Sequence, residues 1–238
     1  MISQHEMTMD ELHPQAIVWD LDGTLVESAP DLATALNALL NENGRHGHHV
    51  RKVRPMIGGG VGKLIERGFE ASGVTLSKRR IDALVPRFMT LYTAVATRRT
   101  HLVPHAREVL QHFYDSGIRQ GLCTNKPREV TMQILHALDI AGFFGSVVGG
   151  DSTSEKKPHP LPLQTCLSEL QVEPANAVLV GDTSADVGAA HAAGVPVILV
   201  PDGYTGAPAV SLGADYVVGS LADVPASFRP QPTMRRTA

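Results

Sequence analysis

The stretch that decides the fold is Ala16-Ile17-Val18-Trp19-Asp20-Leu21-Asp22-Gly23-Thr24, an apolar run that ends abruptly in two carboxylates. A short, continuous apolar run is typical of a strand that is buried on both faces, as in a parallel sheet. Residues 16–19 therefore predict a strand that delivers Asp20 and Asp22 at its carboxyl end. Gly23 follows, and because it has no Cβ it lets the backbone approach a ligand closely.

Similar apolar runs recur along the rest of the chain, separated by stretches with helical periodicity. The further strands are predicted at 121–123, 146–148, 177–180, 195–200 and 216–218. The helices between them are predicted at 106–116, 128–138, 161–170 and 186–193. Strands that alternate with helices predict an α/β protein with a doubly wound parallel sheet, a Rossmann-like core.

The interval 29–99 breaks this alternation, because it holds helical patterns at 31–41, 62–71 and 78–96 but no good strand. A crossover between parallel strands needs little more than about a dozen residues. We therefore expect a helical cap inserted at 29–99 into a discontinuous core formed by 1–28 and 100–228. Residues 229–238 are expected to form a flexible tail.

Composition narrows the class of protein. The chain has 238 residues, 43% of them hydrophobic, and a formal net charge of −3, which argues against a disordered chain or a nucleic-acid binder. No stretch approaches the roughly 20 apolar residues that cross a bilayer, and the first 15 residues hold no apolar run typical of a secretory signal. Two cysteines cannot form a disulfide framework. We expect a cytoplasmic protein, monomeric or homodimeric, that binds neither nucleic acid nor membrane.

The polar residues that follow the predicted strands share one chemical theme. In an open parallel sheet, ligands bind beyond the carboxyl ends of the strands. Carboxylate oxygens suit Mg²⁺, and a metal together with a lysine would neutralise a phosphate dianion as it approaches a carboxylate. A hydroxyl and backbone N–H groups would hold the remaining phosphoryl oxygens. The candidates are Asp20, Asp22, Gly23, Thr124, Asn125, Lys156, Lys157, Asp182 and Asp186.

Four of these segments resemble, in order, the four motifs of the haloacid dehalogenase superfamily. They are 20–26 (Asp-Leu-Asp-Gly-Thr-Leu-Val), 124–126 (Thr-Asn-Lys), 157–158 (Lys-Pro) and 181–186 (Gly-Asp-Thr-Ser-Ala-Asp). The resemblance covers about residues 16–218, and the helical insertion matches the cap of one subclass of that superfamily.

The resemblance implies a role for each motif residue. Asp20 would be the nucleophile that becomes an aspartyl-phosphate, and Asp22 would protonate the leaving alkoxide and then activate water. Asp20, the backbone carbonyl of Asp22 and Asp182 would hold Mg²⁺. Thr124 and Lys157 would bind the phosphoryl group.

Three further motif residues support these. Gly23 and Asn125 would add backbone N–H groups to the phosphate site, and Asp186 would orient Lys157 or a metal-bound water. Asp22 also narrows the reaction, because superfamily dehalogenases lack an aspartate there. Cleavage of a carbon–halogen bond needs no proton for the leaving group, whereas expulsion of an alkoxide does, so Asp22 favours a phosphate ester.

Segments outside the motifs resemble bacterial phosphoglycolate phosphatases, which implies 2-phosphoglycolate as the substrate. These are 25–32, 56–67, 157–162 and 202–206. In the cap, Gly58, Gly59 and Gly60 would either cradle the carboxylate of glycolate with their backbone N–H groups or form a plain flexible turn, and Lys63 or Arg54 would offer a cation.

Other functions stay open at this point. The same motifs fit a sugar-phosphate phosphatase, a pyrophosphatase or a phosphohexose mutase. A receiver-like signalling module also groups acids, a threonine and a lysine, but is about half as long and has no cap, and a silent phosphate-binding protein would not need every motif residue. We predict that His46, His48 and His49 are solvent-exposed loop residues and not a metal site.

Overall fold

The computed structural model describes residues 13–201 and 203–228. Its main feature is a six-stranded parallel sheet with the order β5-β4-β1-β6-β7-β8. The strands are β1 (Ala16–Trp19), β2 (Val26–Glu27), β3 (His101–Leu102), β4 (Arg119–Cys123), β5 (Ser146–Val148), β6 (Ala177–Gly181), β7 (Val197–Leu199) and β8 (Tyr216–Val217). The predicted α/β class and the parallel sheet are confirmed.

Helices cover both faces of this sheet. They are α1 (Ala29–Glu42), α2 (Val50–Val53), α3 (Val61–Glu70), α4 (Lys78–Thr93), α5 (Ala106–Asp115), α6 (Arg128–Ala137), α7 (Leu161–Leu170) and α8 (Ser184–Ala193). Short 3₁₀ turns lie at Arg54–Met56, Ala141–Phe143, Pro174–Asn176, Ala209–Ser211, Leu221–Asp223 and Pro225–Ser227. Most predicted helices therefore exist within a few residues of their predicted limits, while α2 was not predicted.

Strand β1 lies at the centre of the sheet, and all four of its residues are fully buried. Successive side chains of a strand point to opposite faces. Ile17 and Trp19 accordingly pack in the cluster that includes residues of α5 and α6, whereas Ala16 and Val18 pack in the cluster that includes residues of α7 and α8. Two covered faces explain why this strand is a continuous apolar run.

The segment between Ala29 and Arg99 contains helices α1 to α4 and no strand, although every residue of this segment is described. Strands β2 and β3 flank it and pair antiparallel, with Val26 opposite Leu102. Asp31 Oδ2 joins its two ends, accepting hydrogen bonds from the backbone N–H groups of Arg99 (2.9 Å) and Thr100 (2.8 Å). The segment thus leaves the core and returns to it at one place, although the predicted division into core and cap stays a prediction.

The tail predicted at 229–238 lies outside the described residues. Within 13–201 and 203–228, no helix combines the length and the apolar character that crossing a membrane requires. Cys123 and Cys166 are both buried free thiols.

Candidate active site

The polar residues predicted from the strand ends meet at one edge of the sheet. Strand β1 lies between β4 and β6, so Asp20 after β1, Thr124 after β4 and Asp182 after β6 become neighbours. Carboxylate oxygens of Asp20, Asp182 and Asp186 all lie within 4.8 Å of one another, and all three residues are buried. Asp186 reaches the group because helix α8 begins at Ser184, directly after Asp182 and Thr183.

Lys157 ties this group together from the loop that follows β5. Its Nζ donates to Asp20 Oδ1 (2.8 Å), to Asp186 Oδ1 (2.6 Å) and to the backbone carbonyl of Cys123 (2.6 Å). Its side chain is only 2% exposed. Burial by itself disfavours the charge, but Asp186 and Asp20 outweigh it, so the pKa of Lys157 is raised and the residue is a fixed cation.

Both carboxylate oxygens of Asp186 accept hydrogen bonds. Its Oδ2 accepts hydrogen bonds from Thr183 Oγ1 (2.7 Å) and from the Thr183 backbone N–H (3.0 Å), which makes a capping box at the start of α8. Its Oδ1 accepts from Lys157 (2.6 Å). The arrangement favours orientation of Lys157 as the role of Asp186.

Asp182 is held from the side opposite to Lys157. Its Oδ1 accepts from Thr24 Oγ1 (3.2 Å), and its Oδ2 accepts from the backbone N–H of Tyr204 (2.6 Å). Gly23, at φ +89°, and Gly203 both pack so closely against this carboxylate that a Cβ on either would overlap it. Bare backbone on two sides therefore fixes the position of Asp182.

Crowding of buried carboxylates changes their acidity. Burial raises the pKa of Asp20 from 3.8 to about 6; Lys157 opposes the shift and Asp186 adds to it. Burial, followed by repulsion from Asp20 and Asp186, raises the pKa of Asp182 well above its usual range. Both shifts express the cost of placing negative charges together away from water.

The charges at this edge fit a divalent cation. The groups that meet there are four carboxylates (Asp20, Asp22, Asp182 and Asp186) and two ammonium groups (Lys126 and Lys157). Four negative and two positive charges leave an excess of two negative charges, which one divalent cation would neutralise. The donor atoms are hard oxygens, as Mg²⁺ prefers, so the residues present fit the predicted metal.

Thr124 and Asn125 occupy the turn after β4. Both are buried, and Thr124 Oγ1 accepts a hydrogen bond from the Lys126 backbone N–H (3.3 Å). The Asn125 amide donates to the carbonyls of Gly58 (2.9 Å) and Lys157 (3.0 Å). Asn125 therefore joins the loop of the helical segment to the loop that carries Lys157, while its predicted contact with phosphate stays a prediction.

Sequence reasoning assigned no role to Lys126, although this residue was part of the quoted Thr-Asn-Lys segment. Its Nζ lies 2.9 Å from Asp22 Oδ2 and donates to the hydroxyl of Tyr92 on α4 (2.6 Å). The other carboxylate oxygen of Asp22 accepts from Ser28 Oγ. Nothing local in the sequence indicates that the lysine turns back onto Asp22, because the contact depends on how β1 and β4 lie side by side.

A cavity of about 430 Å³, including its open mouth, lies above Asp20 and Asp22. Apolar side chains of the helical segment, Leu32, Ile57, Val61 and Leu64, line it together with Gly58, Gly60 and Tyr92. Thr124, Asn125, Lys126 and Pro127 also line it. The cavity therefore brings the helical segment against the carboxylates.

The three cap residues predicted to touch substrate do not line this cavity. Gly59 lies between two glycines that do. Lys63 is bound to Glu66 (2.5 Å) on the same helix. Arg54 is bound to Glu27 (2.9 Å) and lies over the ring of Tyr204. Their contact with a substrate stays a prediction, and the cavity itself offers a different cation, Lys126.

The three neighbouring histidines of the sequence differ in their exposure. His46 and His49 are exposed, as predicted, but His48 is half-buried and its Nε2 contacts the carbonyl of Gly68 (2.8 Å). Among the described residues, the metal-capable group is that of Asp20, Asp182 and Asp186.

Replacement of Gly23 by alanine is expected to lower kcat/KM by about 100-fold, the upper range for disturbing a support of a metal ligand. The new Cβ would overlap the carboxylate of Asp182. Gly73→Ala is the matched control, because Gly73 has a similar φ of +83° and nothing within 4 Å of its added Cβ. Both variants pay the backbone strain of about 1–2 kcal/mol. Equal loss of activity in the two would contradict the role given to the clash.

The chain is similar to known proteins along most of its length. A family model described as haloacid dehalogenase-like hydrolase matches residues 17–200. The phosphoglycolate phosphatase of Caulobacter vibrioides is 37% identical over 218 residues, which cover 92% of each chain. That of Rhodospirillum rubrum is 39% identical over 215 residues, 89% of each chain. A crystal structure of a predicted phosphoglycolate phosphatase from Haemophilus somnus has a TM-score of 0.83 at 29% identity and covers 92% of this chain and 98% of its own.

Proposed function

The chain belongs to the haloacid dehalogenase-like hydrolases and is a phosphatase, and we propose that it hydrolyses 2-phosphoglycolate with Mg²⁺ through an aspartyl-phosphate on Asp20. The observation that carries the proposal is the meeting of the Asp20, Asp182 and Asp186 carboxylates, two of which, Asp20 and Asp186, are ion-paired with Lys157. The cavity that Asp20 and Asp22 line supports binding of the substrate at this place. The relatives named phosphoglycolate phosphatase support the particular ester.

In the first step, Asp20 would attack the phosphorus atom. Lys157 holds Asp20 Oδ1, and no donor from the described part of the chain binds Oδ2, so Oδ2 is the oxygen left to form the new bond. As that bond forms, the bond from phosphorus to the ester oxygen breaks, and a proton from Asp22 would go to the departing oxygen. Thr124 Oγ1 and Lys157 would stabilise the charge on the phosphoryl oxygens.

In the second step, water would cleave the aspartyl-phosphate. Asp22, now a carboxylate, would take a proton from that water, and inorganic phosphate would leave as the carboxylate of Asp20 is restored. Asp20, Asp182 and the backbone carbonyl of Asp22 would hold the metal. When bound, Mg²⁺ supplies positive charge that lets the phosphate dianion approach these carboxylates.

Metal binding is expected to raise the melting temperature by about 5–10 °C at pH 7.5, because ligand at about 100 times its Kd adds about 2.7 kcal/mol and each kcal/mol is worth about 2–4 °C here. The pKa of Asp20 rises from 3.8 to about 6 on folding. The folded chain then binds more protons, so this group's contribution to stability falls as pH rises through that window. A metal removes this cost by favouring the ionised form.

The measurement is the melting temperature in Mg²⁺ minus that in EDTA, taken at pH 5 and at pH 7.5. The difference should be the larger at pH 7.5. Asp182→Asn should abolish it, whereas Asp82→Asn on the exposed face of α4 should keep it. A difference that is the same at both pH values would contradict the assignment of the cation to these carboxylates.

The substrate is tested by phosphate release with Mg²⁺. We expect 2-phosphoglycolate to rank at or near the top by kcat/KM in a panel with sugar phosphates, nucleotides and pyrophosphate. Isomerised sugar phosphate without free phosphate would identify a mutase instead. Absence of turnover on every ester would favour a receiver-like or silent phosphate-binding protein.

We infer that the enzyme consists of a core of 1–28 and 100–228 and a cap of 29–99. It would act as a monomer or homodimer, and its partner would be a small phosphorylated metabolite. The two buried free thiols support a reducing compartment, the cytoplasm.

A further inference from the structure

We propose that Lys126 is the residue through which this phosphatase selects esters whose leaving alcohol carries an anionic substituent such as a carboxylate. This inference rests on the proposed function. Lys126 takes no part in holding Asp20, which is the task of Lys157. It is nevertheless placed in the same site, with a side chain only 2% exposed. Lysine is rarely buried unless it is paired, and its pairing here leaves capacity for a further partner.

The first argument is the count of hydrogen bonds. A lysine ammonium group carries three donors. Among the described residues, the hydrogen-bond acceptors of Lys126 Nζ are Asp22 Oδ2 at 2.9 Å and the Tyr92 hydroxyl at 2.6 Å, and Nζ also lies 4.8 Å from the centroid of the Tyr92 ring. One donor is therefore left, and Lys126 lines the cavity above Asp22.

The second argument is the charge of the cavity wall. Within residues 13–201 and 203–228, Lys126 is the single cationic side chain that lines this cavity. The helical segment contributes Leu32, Ile57, Val61 and Leu64 to the lining of the same cavity. These apolar side chains offer no hydrogen bond to an anionic group of the substrate. The low dielectric around them strengthens the attraction between that group and the ammonium ion of Lys126.

The third argument is distance along the substrate. Asp22 is the group proposed to protonate the ester oxygen, and Lys126 Nζ lies 2.9 Å from its carboxylate. In 2-phosphoglycolate one methylene separates the ester oxygen from the carboxylate carbon. An ester oxygen at Asp22 therefore brings that carboxylate within reach of Lys126. Lys126 is therefore placed to recognise a carboxylate that is attached directly to the carbon bearing the ester oxygen.

The test compares wild type with Lys126→Met and Lys126→Arg on three esters, always with Mg²⁺. The leaving alcohol of 2-phosphoglycolate carries a carboxylate, whereas that of 2-hydroxyethyl phosphate has a similar size and no charged substituent. The leaving alcohol of 4-nitrophenyl phosphate also has no charged substituent, and it is acidic enough to depart as the phenolate without a proton from Asp22. Lys126→Met should lower kcat/KM for 2-phosphoglycolate about 100-fold, as expected for a lost hydrogen bond between charged groups. Both neutral esters should fall less than about five-fold, and Lys126→Arg should restore part of the loss.

Two other patterns would overturn the inference. Equal losses on all three esters would mean that Lys126 only supports the fold. Losses on both alkyl esters, with 4-nitrophenyl phosphate spared, would mean that it acts through Asp22. Lys78→Met is the charge-matched control, because Lys78 is 88% exposed at the start of α4.

Wild-type enzyme alone gives a second reading that does not depend on folding of a variant. It should prefer 2-phosphoglycolate to 2-hydroxyethyl phosphate by at least about 10-fold in kcat/KM, and a ratio near one overturns the inference. A wrong assignment of the substrate can be distinguished from the absence of a preference for charged leaving alcohols. If 2-phosphoglycolate is poor but 2-phospholactate is hydrolysed, the substrate assignment falls, and the charge preference is measured on 2-phospholactate against 1-hydroxypropan-2-yl phosphate.

Discussion

Asp20→Asn is expected to lower kcat by at least about 10⁴-fold, the scale seen when a catalytic nucleophile is removed, without loss of stability. An amide cannot form the aspartyl-phosphate. Burial raises the pKa of Asp20 to about 6, against attraction by Lys157, so the ionised side chain is unfavourable at pH 7.5. Asparagine keeps the shape and removes that charge, so without metal the melting temperature should equal or exceed that of wild type.

Three measurements decide this prediction. Single-turnover assays follow phosphate release, acid quenching detects protein-bound phosphate, and thermal melts in EDTA report stability. The control is Asp82→Asn, at a position 59% exposed, which should change neither activity nor melting temperature. Turnover above about 1% of wild type in a preparation free of other phosphatases would remove Asp20 from the role of nucleophile, and so would protein-bound phosphate in the variant.

The sheet could be predicted because its signals are local. Residues 16–19 and 177–180 are apolar runs whose burial on both faces follows from their composition. Their polar ends then had to meet, because parallel strands end at the same edge. Accordingly, Lys157 is hydrogen-bonded to Asp20, and Asp20 and Asp182 belong to the same group of carboxylates.

The parts of the site that were missed depend on long-range geometry. Lys126 contacts Tyr92 from another part of the chain, and the side chain of Tyr204 receives hydrogen bonds from the backbone N–H groups of Ser28 and Ala29. Such contacts carry no period or spacing in the sequence. The two-residue strands β2 and β3 were missed for a related reason, since two residues in each strand are too few to show an alternation.

The direction in which a side chain of the predicted cap points is also not visible in the sequence. Sequence placed Arg54 and Lys63 near the substrate because they are cations in a segment that faces the core. In the structure each is bound to a glutamate, Glu27 and Glu66 respectively, and neither lines the cavity. Which way a cation on a short turn or a helix points is set by its neighbours in space, which composition does not reveal.

Lys157→Met is expected to lower kcat/KM by about 10³-fold and also to destabilise the fold. A fixed positive donor at a reacting group is worth about 10²–10³ in rate, and the loss here also disturbs the nucleophile. Breaking a buried ion pair by removing one partner costs about 3–5 kcal/mol, equivalent to a melting temperature lower by about 6–20 °C. The reason is that Asp20 and Asp186 would be left facing each other without the cation that now lies between them.

The destabilisation should grow between pH 5 and pH 8 in EDTA. Lys157 now lowers the pKa of Asp20 against the effect of burial, so its removal leaves carboxyls that are more easily protonated in the folded chain. Groups of that kind add stability at low pH and lose it as pH rises. Lys156→Met removes the exposed neighbouring charge and should have little effect on either activity or melting temperature.

A double variant separates the two consequences of losing Lys157. Lys157→Met with Asp186→Asn should regain part of the melting temperature, because one of the two stranded charges is gone, but it should not regain activity. The measurement is a double-mutant cycle of unfolding free energies in EDTA at pH 7.5, in which contacting residues are expected to couple by about 0.5–3 kcal/mol. Additive effects would mean that Lys157 does not stabilise the fold through Asp186, whereas recovery of activity in the double variant would mean that its cation is not needed at the phosphoryl group.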